Sequence, residues 1–390
     1  MMSAKRITVF YIVTVLYWFS IYTYVPLLTP YVRSLGGSLT MAGMIIGSYG
    51  ISQMILRIPL GIWSDRAGRR KPFILAGIVI GILSSMGFAL TASVWSALIF
   101  RFLAGVAAAV WVIFTVLYAS YYDNEQATKA MGIISFYAAI GQAAATTVGG
   151  LISQAYGWHG SFWLATIGGV FALIFAFWIK ENPPLTKQTV KWSEGIKNLG
   201  RDKIVTGVSL LAALMQVITF STMFGFTPEA AVSLGASKVD LSWLTLAAIA
   251  SNAFAARMSG GFFANRLGER RTVMIGFAMA AIFTAMIPFV HSLRWLYLTQ
   301  ALNGFGQGIC MPVLMGLAIQ HIAPNLRATA MGLNQAVFAL GMSVGPMLTG
   351  AVGDLFSLQG AFLLVGSISL LALVISFLIV PRSKGSWIYN

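Results

Sequence analysis

The chain has 390 residues, of which 58% are hydrophobic and only 9% charged, where a soluble domain carries roughly a quarter charged. That balance excludes an ordinary soluble fold. A net charge of +15 would suit a nucleic-acid partner, but most of the basic residues fall on one side of the apolar runs, which argues against one. Apolar segments of about twenty residues, each long enough to cross a hydrocarbon core of roughly 30 Å, are centred near residues 20, 52, 82, 107, 142, 170, 216, 252, 282, 306, 340 and 370. The first follows Lys5 and Arg6 directly and shows no small-residue cleavage site, so a removed signal peptide is not expected. Between Val15 and Tyr31 it holds no acid and offers Tyr17, Trp18, Tyr22 and Tyr24 instead.

The second segment carries Gln53 and Arg57 and ends in a basic turn that reads Gly61, Asp65, Arg66, Gly68, Arg69, Arg70, Lys71. A turn between membrane helices needs a glycine and a few polar groups, but not this order of glycine, acid and bases. Gly61 removes a side chain where another helix can approach. Asp65 lies at the negative end of its own helix dipole, an unfavourable place without a partner. In the fourth segment Arg101 lies about two turns inside the helix, where a charge is costly enough to suggest function. The alternative is an arginine snorkelling to the membrane edge. Arg57 and its later counterpart Arg257 are close enough to the surface to snorkel, and are read as structural.

The fifth segment is rich in small residues from Gly141 to Gly150 and carries Gln142. The polar stretch Glu181 to Lys203 follows the sixth. In it Trp192, Ile196 and Leu199 recur at helical spacing, with Lys191, Lys197 and Arg201 on other faces, which predicts a short helix on the membrane surface; a disordered tether is the alternative. The seventh segment supplies Gln216, Phe220 and, at its far end, Glu229, which could also be an exposed cap. After the eighth, the turn repeats with changes: Gly261, Asn265, Arg266, Gly268, Glu269, Arg270, Arg271. The tenth holds Asn303, Gln307 and the lone cysteine, Cys310, so neither a disulfide framework nor a cysteine metal site is available. Asn334, Gly345 and Pro346 lie in the eleventh.

These matches belong to an internal repeat. Ser34 to Gly36 recurs as Ser233 to Gly235, Arg57 as Arg257, Ala130 to Gly132 as Ala330 to Gly332, and Gly160 and Phe162 as Gly360 and Phe362, at offsets of 199 or 200 residues. Two six-helix halves follow, 1–180 and 204–390, joined by 181–203. With the N-terminus inside, Lys5, Arg6, the 61–71 turn, Lys129, the linker, Arg266, Arg270, Arg271, Arg327, Arg382 and Lys384 share one side. Arg33, Lys238 and Arg294 take the other. This is the positive-inside bias of a multi-pass plasma-membrane protein with both termini cytoplasmic.

The paired halves and the 61–71 motif resemble the major facilitator superfamily over essentially the whole chain. Arg101 with Gly105 and Ala109 resembles the fourth-helix motif of its drug and metabolite:proton antiporters. The resemblance implies an all-α polytopic fold of two pseudo-symmetric six-helix bundles, with a substrate site near the midplane exposed to each side alternately. It implies a cytoplasmic latch in which Asp65 meets the start of the eleventh helix near Arg327, Ala328 and Thr329; with Asn265 in place of the acid, the second latch is expected to be weaker. Gly345 and Pro346 are expected to give close packing and a bend where the halves meet. The substrate-binding candidates are Trp18, Tyr22, Gln53, Arg101, Gln142, Gln216, Phe220, Asn303, Gln307 and Asn334, which together suit an amphipathic organic molecule. Arg101 and Glu229 are the candidates for proton coupling. Two departures stand out: the first helix lacks an acid, and the fifth-helix motif lacks the proline that the eleventh keeps at Pro346.

The expected function is proton-coupled export of a small organic or amphipathic molecule, a drug or metabolite, by a monomer in the lipid bilayer without a cofactor. An importer or facilitator of a small organic solute is the alternative. No nucleotide-binding loop, nucleophile motif or paired histidine and carboxylate is visible, and His159, His291 and His321 are scattered near helix ends. A membrane enzyme or receptor is therefore the third reading, and a non-enzyme is expected.

Overall fold

The computed structural model describes residues 4–122, 127–181, 199–322 and 326–381. The surface helix expected in the linker falls on residues outside this range. Among the described residues, twelve helices are long and apolar enough to span a bilayer: α1 Ile7–Ser34, α2 Leu39–Ala67, α3 Lys71–Leu90, α4 Val94–Ala119, α5 Ala130–Tyr156, α6 Trp158–Ala176, α7 Lys203–Ser233, α8 Lys238–Met258, α9 Glu269–Phe289, α10 Leu293–Gln320, α11 Thr329–Leu355 and α12 Leu358–Ile379. All regular structure among the described residues is helical. Lipid offers no hydrogen bonds, so a spanning backbone must satisfy its own polar groups. On α12, Leu370, Leu371, Val374 and Leu378 are each more than half exposed, at 55%, 55%, 54% and 74%; acyl chains are the natural solvent of such a face.

The repeat seen in the sequence is a repeat of packing. In the first six helices α1 lies along α5 and α6, and α3 along α4 and α6; in the last six α7 lies along α11 and α12, and α9 along α10 and α12. The contacts are close because of small residues. A β-carbon at Gly141 would collide with the Val15 carbonyl of α1, and one at the equivalent Gly341 with the Ala213 carbonyl of α7. Small residues let helix backbones approach in this way where packing, not hydrophobicity, drives association. Cys310 on α10 is fully buried, packed where Gly276 of α9 leaves room for it.

The first helix of each half breaks near its own C-terminal end. α1 is α-helical to Tyr22, passes through a 3₁₀ turn at Val25–Leu27 containing Pro26, and resumes at Leu28–Ser34. α7 has a π turn at Thr222–Phe226 before Thr227–Ser233, with Pro228 in its first turn. Proline lacks the N–H that would continue the ladder, so these are its expected positions.

The chain divides into two compact units that nearly follow the halves. One comprises 1–37, 51–189 and 237–243; the other comprises 38–50, 190–236 and 244–390. The exchanged pieces are the first turns of α2 and α8. In the second unit Leu199, at the end of the linker, is buried with Val205, Ile322 and Ala330. Beside it Asp202 caps α7, accepting the Ile204 and Val205 amides at 2.9 and 3.0 Å and bonding His321 Nε2 at 2.9 Å.

Candidate functional site

In the first unit, α1 and α4 build an aromatic corner. Trp18 and Tyr22 are 7% and 8% exposed. The Trp18 ring lies edge-on to Tyr22 at 5.4 Å and to Trp111 of α4 at 5.2 Å. The Tyr17 hydroxyl donates to the Ala107 carbonyl, fixing α1 against α4. The Trp18 indole nitrogen is buried with no hydrogen-bond partner among the described residues. A buried N–H without an acceptor costs about 1–3 kcal/mol, so the corner is suited to a guest that carries one. Trp111 was not legible as a participant, because it sits in an uninterrupted apolar run.

Arg101 is 2% exposed and among the largest fully buried side chains. It does not snorkel. Its guanidinium sits 5.9 Å from the Tyr24 ring centroid, and Tyr24 packs on Phe88 and Phe162 at 5.0 and 5.4 Å. A cation over an aromatic face is partly compensated for lost hydration. Arg57 corrects the sequence reading: it is 7% exposed and donates to Gln53, itself 1% exposed, one turn earlier on α2. Its repeat partner Arg257 is exposed. The repeat partners thus differ in burial, and Arg57 is held within α2 rather than snorkelling. Gln142 is half-buried on α5.

The second unit holds a chain of neutral polar groups. Gln307 donates to Asn303 at 3.1 Å, and Asn303 to Thr284 at 3.0 Å. Asn334 donates to Ser209 at 3.0 Å, while its oxygen and the Gln300 amide nitrogen are buried without partners among the described residues. Phe220 stacks against Tyr49 with centroids 6.1 Å apart; Gln216 is half-buried. Glu229 lies half-buried in the short terminal helix of α7, in the other unit from Arg101. An apolar groove of about 470 Å³, bordered by Thr8, Tyr11, Ile12, Val15, Leu16, Tyr137, Phe171 and Phe175, contains none of the candidates.

The basic turns keep one backbone plan and differ in chemistry. Gly68 and Gly268 have φ of 64° and 82°, a conformation that glycine adopts at little cost. Asp65 is exposed and pairs with Arg70 at 3.3 Å, within its own turn. Glu181 accepts the Arg70 and Lys71 amides and so caps α3, a role hidden in the sequence by its place at the head of the linker. In the second turn Arg266 lies 4.4 Å over Phe262 and Arg270 4.0 Å over Phe377, while Arg66 and Arg69 are exposed. The surroundings of Gly261 and the Arg327 side chain lie outside the described residues. Gly61 does not serve close approach here: a β-carbon there would meet nothing within 4 Å.

Close approach is found elsewhere on α2. β-Carbons at Gly43, Gly47 and Gly50 would collide with the Pro346 carbonyl, the Ser343 carbonyl and the Ser343 hydroxyl of α11. Gly345 instead fits against Val217 and Ser221 of α7. The expectation for Gly345 and Pro346 is thus divided: Pro346 meets the start of α2, and Gly345 seats α11 within its own half.

The Major Facilitator Superfamily model matches residues 10–230 and 209–387. The inner membrane transport protein YajR of Escherichia coli is 27% identical over 87% of this chain and 75% of its own. The cis,cis-muconate transport protein of Acinetobacter baylyi is 26% identical over 89% and 85%. The class B tetracycline resistance protein of Escherichia coli is 22% identical over 88% of each. Among solved structures, a bacterial homologue of the human lysosomal transporter Spinster superposes with a TM-score of 0.83 at 17% identity, over 97% of this chain and 98% of that one. With the helical repeat, these matches place the chain in the Major Facilitator Superfamily, as a multi-pass membrane transporter.

Proposed function

We propose that the protein exports a small amphipathic organic molecule in exchange for protons, by alternating access, as a monomer in the cell membrane with both termini cytoplasmic. The observation that carries the substrate class is the aromatic corner with its unpartnered indole N–H at Trp18. It suits a flat or cyclic apolar body bearing a hydrogen-bond acceptor. The neutral amides of Gln53, Gln142, Gln216, Asn303, Gln307 and Asn334 offer polar contacts without demanding a charge, and Phe220 and Tyr22 add apolar surface. Arg101 supplies a fixed cation, since a guanidinium keeps its charge at any physiological pH. Glu229 is the titrating carboxylate of this scheme. Asp65, with the weaker Asn265 turn, biases the cycle between its two states, and Gly345 and Pro346 shape the helix that must move.

Export is supported by the Arg101 motif and by the likeness to tetracycline resistance proteins. Import of a small organic solute is the second reading, favoured by the muconate transport relative and by the absence of an acid from the membrane part of α1. Sealed proteoliposomes with an imposed pH gradient separate the two, using tetracycline, ethidium and cis,cis-muconate as probes. Export by exchange predicts that tetracycline or ethidium moves against its gradient when protons flow the other way. Muconate uptake driven down the proton gradient, with the other two inert, would overturn export.

A further inference from the structure

Trp18 and Tyr22, four residues apart, share one face of α1. Tyr17 does not belong to that face. It is 2% exposed and enters the seam between α1 and α4, where its hydroxyl donates to the Ala107 carbonyl. Its ring lies 4.7 Å from that of Phe114, and Phe114 stacks in turn on Trp111 at 5.9 Å. Phe114 is fully buried, whereas Trp111 is only half-buried. Tyr17 and Phe114 are therefore closed to a guest, and Trp111 with Trp18 forms the part that one could reach.

At this point α4 is interrupted. It is α-helical over Val94–Ala109 and again over Trp111–Ala119, with Val110 between them at φ −66° and ψ −12°. The Val110 amide turns back only three residues, to the same Ala107 carbonyl at 3.0 Å, and the Ile113 amide does the same to Val110 at 2.8 Å. Neither glycine nor proline stands between Ala107 and Ile113 to account for the interruption. A side chain entering the backbone ladder is a known cause of one, and the Tyr17 hydroxyl is such a group. Val110 is also seated on α3, where a β-carbon at Gly77 would collide with it. The second half keeps that seat without the hold. Cys310 packs at Gly276 in the same manner, yet α10 runs unbroken from Leu293 to Gln320 even with Pro312 inside it. The residue 199 positions after Tyr17 is Gln216, which has no ring.

We propose that Tyr17 is a positioning residue of the aromatic corner: its hydroxyl holds α4 at the Val110 break, and its ring, through Phe114, sets the angle at which Trp111 meets Trp18. Tyr17 thereby governs the affinity for ring-bearing guests without touching them. This role rests on the substrate reading above for its effect on affinity, and on the α1–α4 seam alone for its geometry.

The test is fluorine NMR of the full chain in lipid nanodiscs, labelled with fluorotryptophan and free of substrate. Trp18→Phe and Trp111→Phe assign the two signals. Tyr17→Phe, which keeps the ring and removes the hydroxyl, is expected to move both and to leave the other tryptophans in place. Thr14→Val removes another buried hydroxyl of α1, one bonded within its own helix to the Phe10 carbonyl at 2.8 Å, and should move neither. Tetracycline binding, followed by its fluorescence, should weaken about 2- to 10-fold in Tyr17→Phe, the worth of one hydrogen bond, and by less in Thr14→Val. An unmoved Trp111 signal in Tyr17→Phe would overturn the proposal. So would equal shifts from Thr14→Val, which would make the Tyr17 hydroxyl ordinary packing, or a moved Trp111 with tetracycline bound as tightly as by the native chain. A native chain that binds no tetracycline would count against the substrate reading, and the fluorine signals would still decide the positioning.

Discussion

The 61–71 and 261–271 turns were built from one plan and no longer do the same thing. Both pivot on a glycine with positive φ, at 64° and 82°. Around that pivot the first keeps an exposed acid paired to Arg70 at 3.3 Å, while the second has Asn265 at the equivalent position and rests Arg266 and Arg270 on Phe262 and Phe377. The same divergence marks the buried pair Arg101 and Gln300, which are 2% and 1% exposed, and Arg57 and Arg257, one buried and one exposed. Duplication preserves what backbone geometry requires. Charge is free to differ, as Asp65 and Asn265 show.

The largest break in that comparison comes from making the halves alike at their deepest charge. Arg101→Gln, which copies Gln300, the residue 199 positions on in the repeat, is expected to abolish most gradient-driven transport by removing the fixed cation of the proposed scheme; Gln300→Ala should cost far less. Proteoliposome transport measures both, and equal losses would remove the special role of Arg101. Next in size is a contrast within α2. Gly43→Leu should destabilise by about 1–3 kcal/mol through overpacking against Pro346. Gly61→Leu should stay within about 0.5 kcal/mol, as open surface positions do. Thermal unfolding in detergent decides, and a tolerated Gly43→Leu would contradict the packing described.

A smaller effect is expected at the turns. Asp65→Asn should shift the conformational equilibrium by about 0.3–2 kcal/mol, the scale of a charge at a helix end. That is enough to slow turnover several-fold while expression holds, and Asn265→Ala should do less. Spin-label distances across the two faces would report the shift, and equal responses would mean a symmetric gate.

The smallest effect belongs to Asp202. Burial alone would raise its pKa, but the Val205 and Ile204 amides and His321 outweigh it and hold the carboxyl below its ordinary value. A depressed folded pKa contributes stability that is present above the unfolded value and lost as pH falls through the folded one. Asp202→Asn should therefore unfold slightly more easily at pH 7 and lose less additional stability on acidification below about pH 4. An unchanged acid profile would mean that other carboxylates dominate.

Much of this was open to reading from the chain itself. Span length follows from the length of the apolar runs, the offset of 199 or 200 residues from the repeated motifs, and the positive φ of Gly68 and Gly268 from glycine placed in tight turns. What escaped reading depends on rotation and distance. Arg57 looked able to snorkel because depth can be counted along a helix, whereas the side toward Gln53 cannot be judged without a neighbour. Gly61 lay in the strongest motif and faces open space; Gly43, in no motif, carries the contact. Glu181 stands at the head of the polar linker, where nothing local shows that it ends on the amino terminus of α3. Leu199 was legible as apolar, but not as part of a buried cluster at the base of α7.

The position of Cys310 has a practical consequence. It is the chain's single cysteine, fully buried against α9, and a thiol without access to water is a poor target for alkylating reagents. The native protein therefore already serves as an unreactive background. A cysteine introduced at a water-exposed loop position will be the one residue a hydrophilic maleimide reaches, so probes can be attached one or two at a time without first redesigning the core around a missing sulfur.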